Sequence, residues 1–250
     1  MKRNYIFALS GAATFILSLL ILAPAKLIQG TLSDNNIRAT GIQGSLWSGQ
    51  IQTMSVQGWQ LSETEWTMNP LTLLLGRVSA DIKTRYPGGT AAGGLSLSLG
   101  GRLSLVNFDA EGNLSPLSNL LQLPLSGRYQ AQVETAEFKD AWPEVLVAEA
   151  TVTGVLLDIT GNPDAPRGDY SIQFNHDPVG DDQMLNGLIK DEGGPLDIVG
   201  QAILTPPASY ELQLKVAARP EAPKDLLQAL QFAGPVDAEG RREVALTGSL

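Results

Sequence analysis

Along most of this chain apolar and polar residues take turns. Val78, Ala80 and Ile82 alternate with Arg77, Ser79, Asp81 and Lys83, and Tyr129, Ala131 and Val133 alternate with Arg128, Gln130, Gln132 and Glu134. The same rhythm returns at Leu95–Leu99, Val106–Glu111, Tyr170–Asn175 and Tyr210–Val216. A period of two sends the apolar side chains of a strand to one face. One dry face and one wet face is the pattern of antiparallel sheet. Ile51–Gly58, Trp66–Met68, Val145–Leu156, Leu196–Leu204 and Val244–Thr247 extend the set, so the pattern predicts roughly ten or more strands. Glycine and proline clusters such as Pro87-Gly88-Gly89, Gly100-Gly101 and Pro206-Pro207 separate many of them, as turns require.

Helical spacing breaks this rhythm in few places. Pro116–Leu121 predicts a short helical turn. Pro223–Phe232 predicts a short helix, with Leu226, Leu227 and Leu230 at helical spacing, Pro223 near its start and Gly234-Pro235 closing it, the usual start and stop signals. Residues 69–76 (NPLTLLLG) fit a buried strand or a short helix equally well. Asn175–Pro195 is the longest polar stretch and reads as a loop. The fold class is therefore mainly β: a curved antiparallel sheet or sandwich with one or two short helices, preceded by a membrane helix. A sheet with one continuous dry face must hide it, by curling, by packing on a second sheet, or by accepting lipid or protein.

The membrane helix is the other departure from period two. Tyr5–Ala23 reads YIFALSGAATFILSLLILA and carries no charge. About 20 apolar residues span a hydrocarbon core, so the anchor comprises Tyr5, Ile6, Phe7, Leu9, Phe15, Ile16, Leu17, Leu19, Leu20, Ile21 and Leu22. The competing reading is a cleaved signal peptide, because Ala23-Pro24-Ala25 resembles a small-residue cleavage site. Signal h-regions run about 7–15 residues, and this stretch is longer, which favours an uncleaved anchor. Lys2 and Arg3 precede the span, and the positive-inside bias then puts the N-terminus in the cytoplasm. The expected organisation is a cytoplasmic N-terminus and anchor over residues 1–25 and a β-rich periplasmic domain over 26–250, in a Gram-negative inner membrane.

Composition narrows the functions. The 250 residues carry 17 Lys and Arg against 26 Asp and Glu, a net charge of −9. The basic residues are scattered, so no phosphate-binding surface for nucleic acid is foreseen. Cysteine is absent, which rules out disulfides and thiolate metal sites. Aromatics make up only 6%, leaving Leu, Val, Ile and Ala to build the core.

Catalytic chemistry is thin. The single histidine, His176, sits beside Asp177 in the polar stretch and reads as a solvent-exposed loop residue. No G-x-S-x-G, H-E-x-x-H, P-loop or dinucleotide fingerprint occurs. Asp177, Asp181 and Asp182 lack the calcium-loop spacing of helix–loop–helix sites, so Asp177–Glu192 reads as a solvated acidic loop. Glu63 and Glu65 stand next to Trp66, just before it in the chain, but fall on the polar side of a strand. The sequence assigns no catalytic residue, no cofactor and no metal.

Residues 41–49 read GIQGSLWSG. Gly41, Gly44 and Gly49 permit tight turns or close backbone approach, and Trp47 is positioned to anchor the first strand in the core. Trp66 supplies a second aromatic anchor. The order of features is a basic start, one span, Pro24-Ala25, this glycine–tryptophan signature, an aromatic strand around Trp66, Pro70-Leu71, Trp142-Pro143, a Leu-rich helix and a last strand ending Thr247-Gly248-Ser249-Leu250. That order resembles the general secretion pathway protein N family of type II secretion systems. The resemblance implies a single-pass inner-membrane protein with no catalytic role, acting as a structural or assembly component of the machine that exports folded periplasmic proteins across the outer membrane. It implies contacts with the periplasmic parts of other inner-membrane subunits or with the secretin channel, and a structural role for Gly41, Gly44, Trp47 and Gly49. The alternative is an AsmA-like envelope protein whose apolar β-trough binds or moves lipid. One fold can serve either function.

Overall fold

The structure is a computed structural model. It describes residues 23–249 apart from residues 35, 57, 117–124, 140–141, 158–166, 178, 180–182, 208, 221 and 232–235. The membrane segment, save Ala23, and almost all of the helical turn expected at Pro116–Leu121 therefore lie outside the described residues. Among the described residues no helix is long and apolar enough to cross a membrane. The chain divides into two compact units, one ending at Pro87 and one starting at Gly88.

In the first unit a short 3-10 turn over Ala25–Leu27 leads into helix α1, Ile28–Asp34. Five strands follow: β1 (Arg38–Thr40), β2 (Gln43–Gly44), β3 (Ser48–Val56), β4 (Trp59–Met68) and β5 (Arg77–Tyr86). Strands β3, β4 and β5 are antiparallel neighbours, and β1 and β2 share one edge of β3. The core is Ala25, Ile51 and Trp66, with Ile28 and Leu32 of α1 packed on it together with Ile42, Met68 and Ile82. Ile28 and Leu32 are four residues apart, so one side of the helix faces the sheet. Buried Thr64 exchanges a 2.7 Å hydrogen bond with Thr84 on the neighbouring strand, as a buried hydroxyl requires. The seven residues of α1, IQGTLSD, are too few for helical periodicity to stand out in the sequence.

The second unit is a meander of nine strands: β6 (Gly89–Ser98), β7 (Leu103–Asn113), β8 (Leu125–Lys139), β9 (Trp142–Leu157), β10 (Gly168–His176), β11 (Leu185–Gly193), β12 (Leu196–Thr205), β13 (Ser209–Ala218) and β14 (Arg242–Ser249). Each pairs antiparallel with the next. Helix α2, Lys224–Gln231, lies between β13 and β14 in sequence and touches β13, where the leucine spacing predicts a helix.

Register shows how alternation becomes a two-faced sheet. Ala91, Ala110, Ala131, Ala150, Ile172, Ile189, Gly200, Leu214 and Val244 stand opposite one another in a row across all nine strands. The adjacent row, on the other face, runs Thr90, Glu111, Gln130, Thr151, Ser171, Lys190, Val199, Lys215 and Glu243. A slip of one residue would exchange the rows, so the pattern fixes the pairing.

Glycine and aromatic residues are matched across these strands. Gly112 faces Tyr129, Gly187 faces Phe174 and Gly248 faces Tyr210 as direct cross-strand partners. A Cβ added to Gly187 or Gly248 would run into the ring, and one added to Gly112 would meet the Gly88 carbonyl first, with the Tyr129 ring 3.2 Å away. The ring covers the backbone that glycine leaves bare, a known way of restoring packing at strand glycines.

One expectation is corrected. Asn175–Pro195 is not a single long loop: β10 runs on to His176, and Leu185–Gly193 is β11, paired with both β10 and β12. Its alternation, with Leu185 and Gly187 buried and Asn186 and Leu188 exposed, is masked in the sequence by the acidic residues around it. For residues 69–76 the short helix is the correct alternative: Pro70–Leu75 is a 3-10 helix.

Candidate functional site

The glycine–tryptophan signature sits where the chain enters the first sheet. Gly41 (φ 71°) leaves β1, and Gly44 (φ 94°) ends β2. Only glycine adopts these left-handed values without cost. A Cβ on Gly44 would come within 2.7 Å of the Gly49 backbone. Gly49 lies directly opposite Trp66, and a Cβ there would come within 2.7 Å of the indole. The two glycines thus let β2 and β3 close tightly while leaving room for the Trp66 ring. Trp66 is 7% exposed, and its Nε1–H donates to the Leu46 carbonyl at 3.0 Å. The core tryptophan is therefore Trp66. Trp47, which the sequence reading placed in the core, is half-buried in the bend before β3, where its carbonyl accepts from the Met68 N–H at 2.6 Å. A bend residue with an apolar side chain looks like a strand residue in sequence, so the sequence does not distinguish the two environments.

The entry of the chain is fastened to the same bend. Pro24 bridges to Ser45, and Leu46 N–H donates to the Ala23 carbonyl at 2.8 Å. Ala25 is fully buried against Ile51 and Trp66. The last residue of the apolar N-terminal segment is thus held by the signature that follows it.

Polar clusters of the second unit are structural in form. Asp191, whose side chain is 4% exposed, pairs with the Arg219 guanidinium, which also donates to the Gly194 carbonyl at 2.8 Å. Asp191 further accepts from Gly193 N–H at 2.9 Å. Arg241 pairs with Asp197 at 2.8 Å. These contacts tie β11 and β12 to the segments around α2. Tyr170 lies near this group, and burial, followed by the Asp191 charge, raises its pKa above the ordinary tyrosine value of 10.0, with Arg219 opposing the shift. The sequence gives none of these residues a pairing role, because ion pairs between distant strands leave no local signature.

The residues weighed for chemistry are not brought together. His176 stands at the end of β10, half-buried, and its Nε2 accepts from Asn186 N–H at 2.9 Å. It is a strand residue, not the exposed loop residue expected, because the strand runs further than the polar sequence suggests. Glu63 and Glu65 are exposed on β4, and Glu63 pairs with Arg85 at 2.6 Å. Among the described residues no three His, Cys, Asp or Glu side chains are grouped to hold a metal ion. Two open depressions lie on the strands of the second unit, of about 480 and 410 Å³. The first is lined by Thr90, Glu111, Arg128 and Thr151 among others, the second by Asp109, Gln132 and Glu149. Both belong to the wet face, and in the first the Thr90 hydroxyl donates to the Glu111 carboxylate at 3.5 Å across two strands.

Comparison with known proteins gives the chain its relatives. A family profile described as "Type II secretion system (T2SS), protein N" matches residues 35–245. The type II secretion system protein N of Aeromonas hydrophila is 25% identical over 259 aligned residues, covering all of both chains. The protein of the same name from Vibrio cholerae serotype O1 is 23% identical over 261 aligned residues, again covering all of both chains. No solved structure matches. The resemblance read from the glycine–tryptophan signature and the order of features is thereby shown, and this chain belongs to the type II secretion system protein N family.

Proposed function

We propose that this chain is a bitopic inner-membrane subunit that helps assemble or brace the type II secretion machine, with its two β-rich units in the periplasm. The observation that carries the reading is the family match over residues 35–245 together with relatives that align from end to end. Family membership makes it a secretion component and implies contact with other components of that machine. The assembly role, the partners and the membrane topology are our reading. Tyr5–Ala23 is long enough to span a bilayer, Lys2 and Arg3 lead it, and the chain beyond it is sheet, suited to presenting surfaces. The partners we expect are periplasmic parts of inner-membrane subunits, or the secretin. Both named relatives point to secretion, and neither comparison favours the lipid-trough alternative.

Deleting the gene should trap secreted hydrolases in the periplasm, and a reporter active only outside the cytoplasm should work when fused after Leu250. Unchanged export with a silent reporter would overturn both the role and the topology.

A further inference from the structure

We infer that the Pro70–Leu75 turn is a second membrane contact, dipping its leucines into the same leaflet that receives the N-terminal segment. The inference rests on the anchor reading above and adds a site to it. The turn carries Leu71, Leu73, Leu74 and Leu75, which are 68%, 46%, 85% and 70% exposed. Large apolar residues clustered in six positions and left in the open mark an interaction site. The turn is also rigidly built. Asn69 caps it by accepting from Leu71 N–H at 3.0 Å, Thr72 Oγ1 donates to the Asn69 carbonyl at 2.7 Å, and Gly76 closes it in the left-handed conformation. The leucines are displayed on a fixed loop.

The position of the turn names the occupant. Met68, the last residue of β4, donates to the Trp47 carbonyl, and the neighbouring Leu46 N–H donates to the Ala23 carbonyl. Asn69 follows Met68 directly. Two hydrogen bonds through one bend therefore place the leucine turn at the end of the first sheet where the apolar Tyr5–Ala23 segment ends. A chain leaving a bilayer at Ala23 has this turn beside it at the lipid surface. Leu27, 65% exposed, lies in the exit turn itself, and exposed Lys26 and Arg77 flank the two apolar elements. Leucines beside lysine and arginine are the composition that settles into an anionic headgroup boundary.

The chain has no native cysteine, so single labels report cleanly. Full-length chain in nanodiscs of phosphatidylethanolamine and phosphatidylglycerol would carry an NBD dye at Leu74→Cys, at Leu19→Cys or at Gln60→Cys. Gln60 is exposed near the opposite end of β4, roughly 25 Å away at the strand rise. The Leu74 label should show a blue-shifted emission and lose intensity when doxyl lipids are added, while the Gln60 label keeps its aqueous spectrum. A Leu74 label that stays water-like while the Leu19 label is quenched would overturn the inference and leave the anchor standing. If neither responds to doxyl lipid, anchor and turn fall together. A Leu74 blue shift without doxyl quenching would assign the leucines to a second copy of the chain and equally overturn the lipid contact. Quenching at Leu74 without quenching at Leu19 would refute the anchor, and with it the inference as stated, since the turn would then meet lipid without an anchor beside it.

Discussion

The two units solve the same problem differently. Each has antiparallel strands with one apolar side. In the first, a helix and a turn lie on that side, and Ala25, Ile51 and Trp66 form a buried cluster under them. In the second, the buried apolar residues are dispersed, from Leu114 and Ala136 to Leu185, Ala202 and Val216. The rows of alanine and branched side chains that face one another along it are mostly half-buried. Register and cross-strand pairing must then carry more of its order, which is where the ring-over-glycine pairs and the ion pairs of Asp191 and Asp197 act. A concentrated core is vulnerable at one residue, whereas a ladder spreads its stability along many.

Trp66→Ala is the largest expected break. It removes the main core ring and its hydrogen bond to Leu46, and should cost about 3–5 kcal/mol. Trp47, Trp59 and Trp66 belong to the first unit and only Trp142 to the second, so in denaturant titrations the remaining tryptophan fluorescence should shift to a lower midpoint. Far-UV circular dichroism, dominated by the longer sheet, should shift less. Equal loss in both signals would contradict a core confined to the first unit.

Gly187→Val probes the ladder. Its side chain would collide with the Phe174 ring and the Ile172 side chain, an overpacking that costs about 2 kcal/mol. The double change Gly187→Val with Phe174→Ala should recover part of that loss. No recovery would mean that the ring is not what the glycine accommodates.

Arg219→Ala leaves the buried Asp191 carboxylate, among the described residues, with the Gly193 N–H as its remaining hydrogen-bond donor. Since Arg219 is itself about one-third exposed, the expected cost is nearer about 1–2 kcal/mol than the value for a fully buried pair. Arg219→Lys should restore only part, because lysine cannot reach Asp191 and the Gly194 carbonyl with one planar fork.

The smallest effect is alkaline. Tyr170 holds its proton more tightly folded than unfolded, so its contribution is intact below about pH 10, where the unfolded phenol begins to ionise. It declines as pH rises toward the higher folded value. Tyr170→Phe should flatten that decline in a denaturant series from pH 9 upward. An unchanged slope would remove Tyr170 from the account.

The sheet was legible because alternation is a local property. Each of the strands expected from it exists, and the register across β6–β14 keeps its alternating rows apart. Three things were not legible. Helix α1 is too short for its period to show. Strand β11 hides its alternation among Asp191, Glu192 and Lys190, whose charges belong partly to the wet face and partly to a long-range ion pair. The burial of Trp66 in the cluster on which Ile28 and Leu32 pack depends on contacts between elements, which leave no local mark. The glycine positions were visible as a signature, but their partners across the sheet were not.

The claim that this chain works within the secretion machine is tested most directly by photo-crosslinking in living cells. A photoreactive residue would replace Leu99 or Leu188, both exposed, 90% and 51% respectively. The account predicts adducts with another secretion component that vanish when the gene for that component is deleted. Adducts confined to unrelated envelope proteins, unchanged by such deletions, would contradict it.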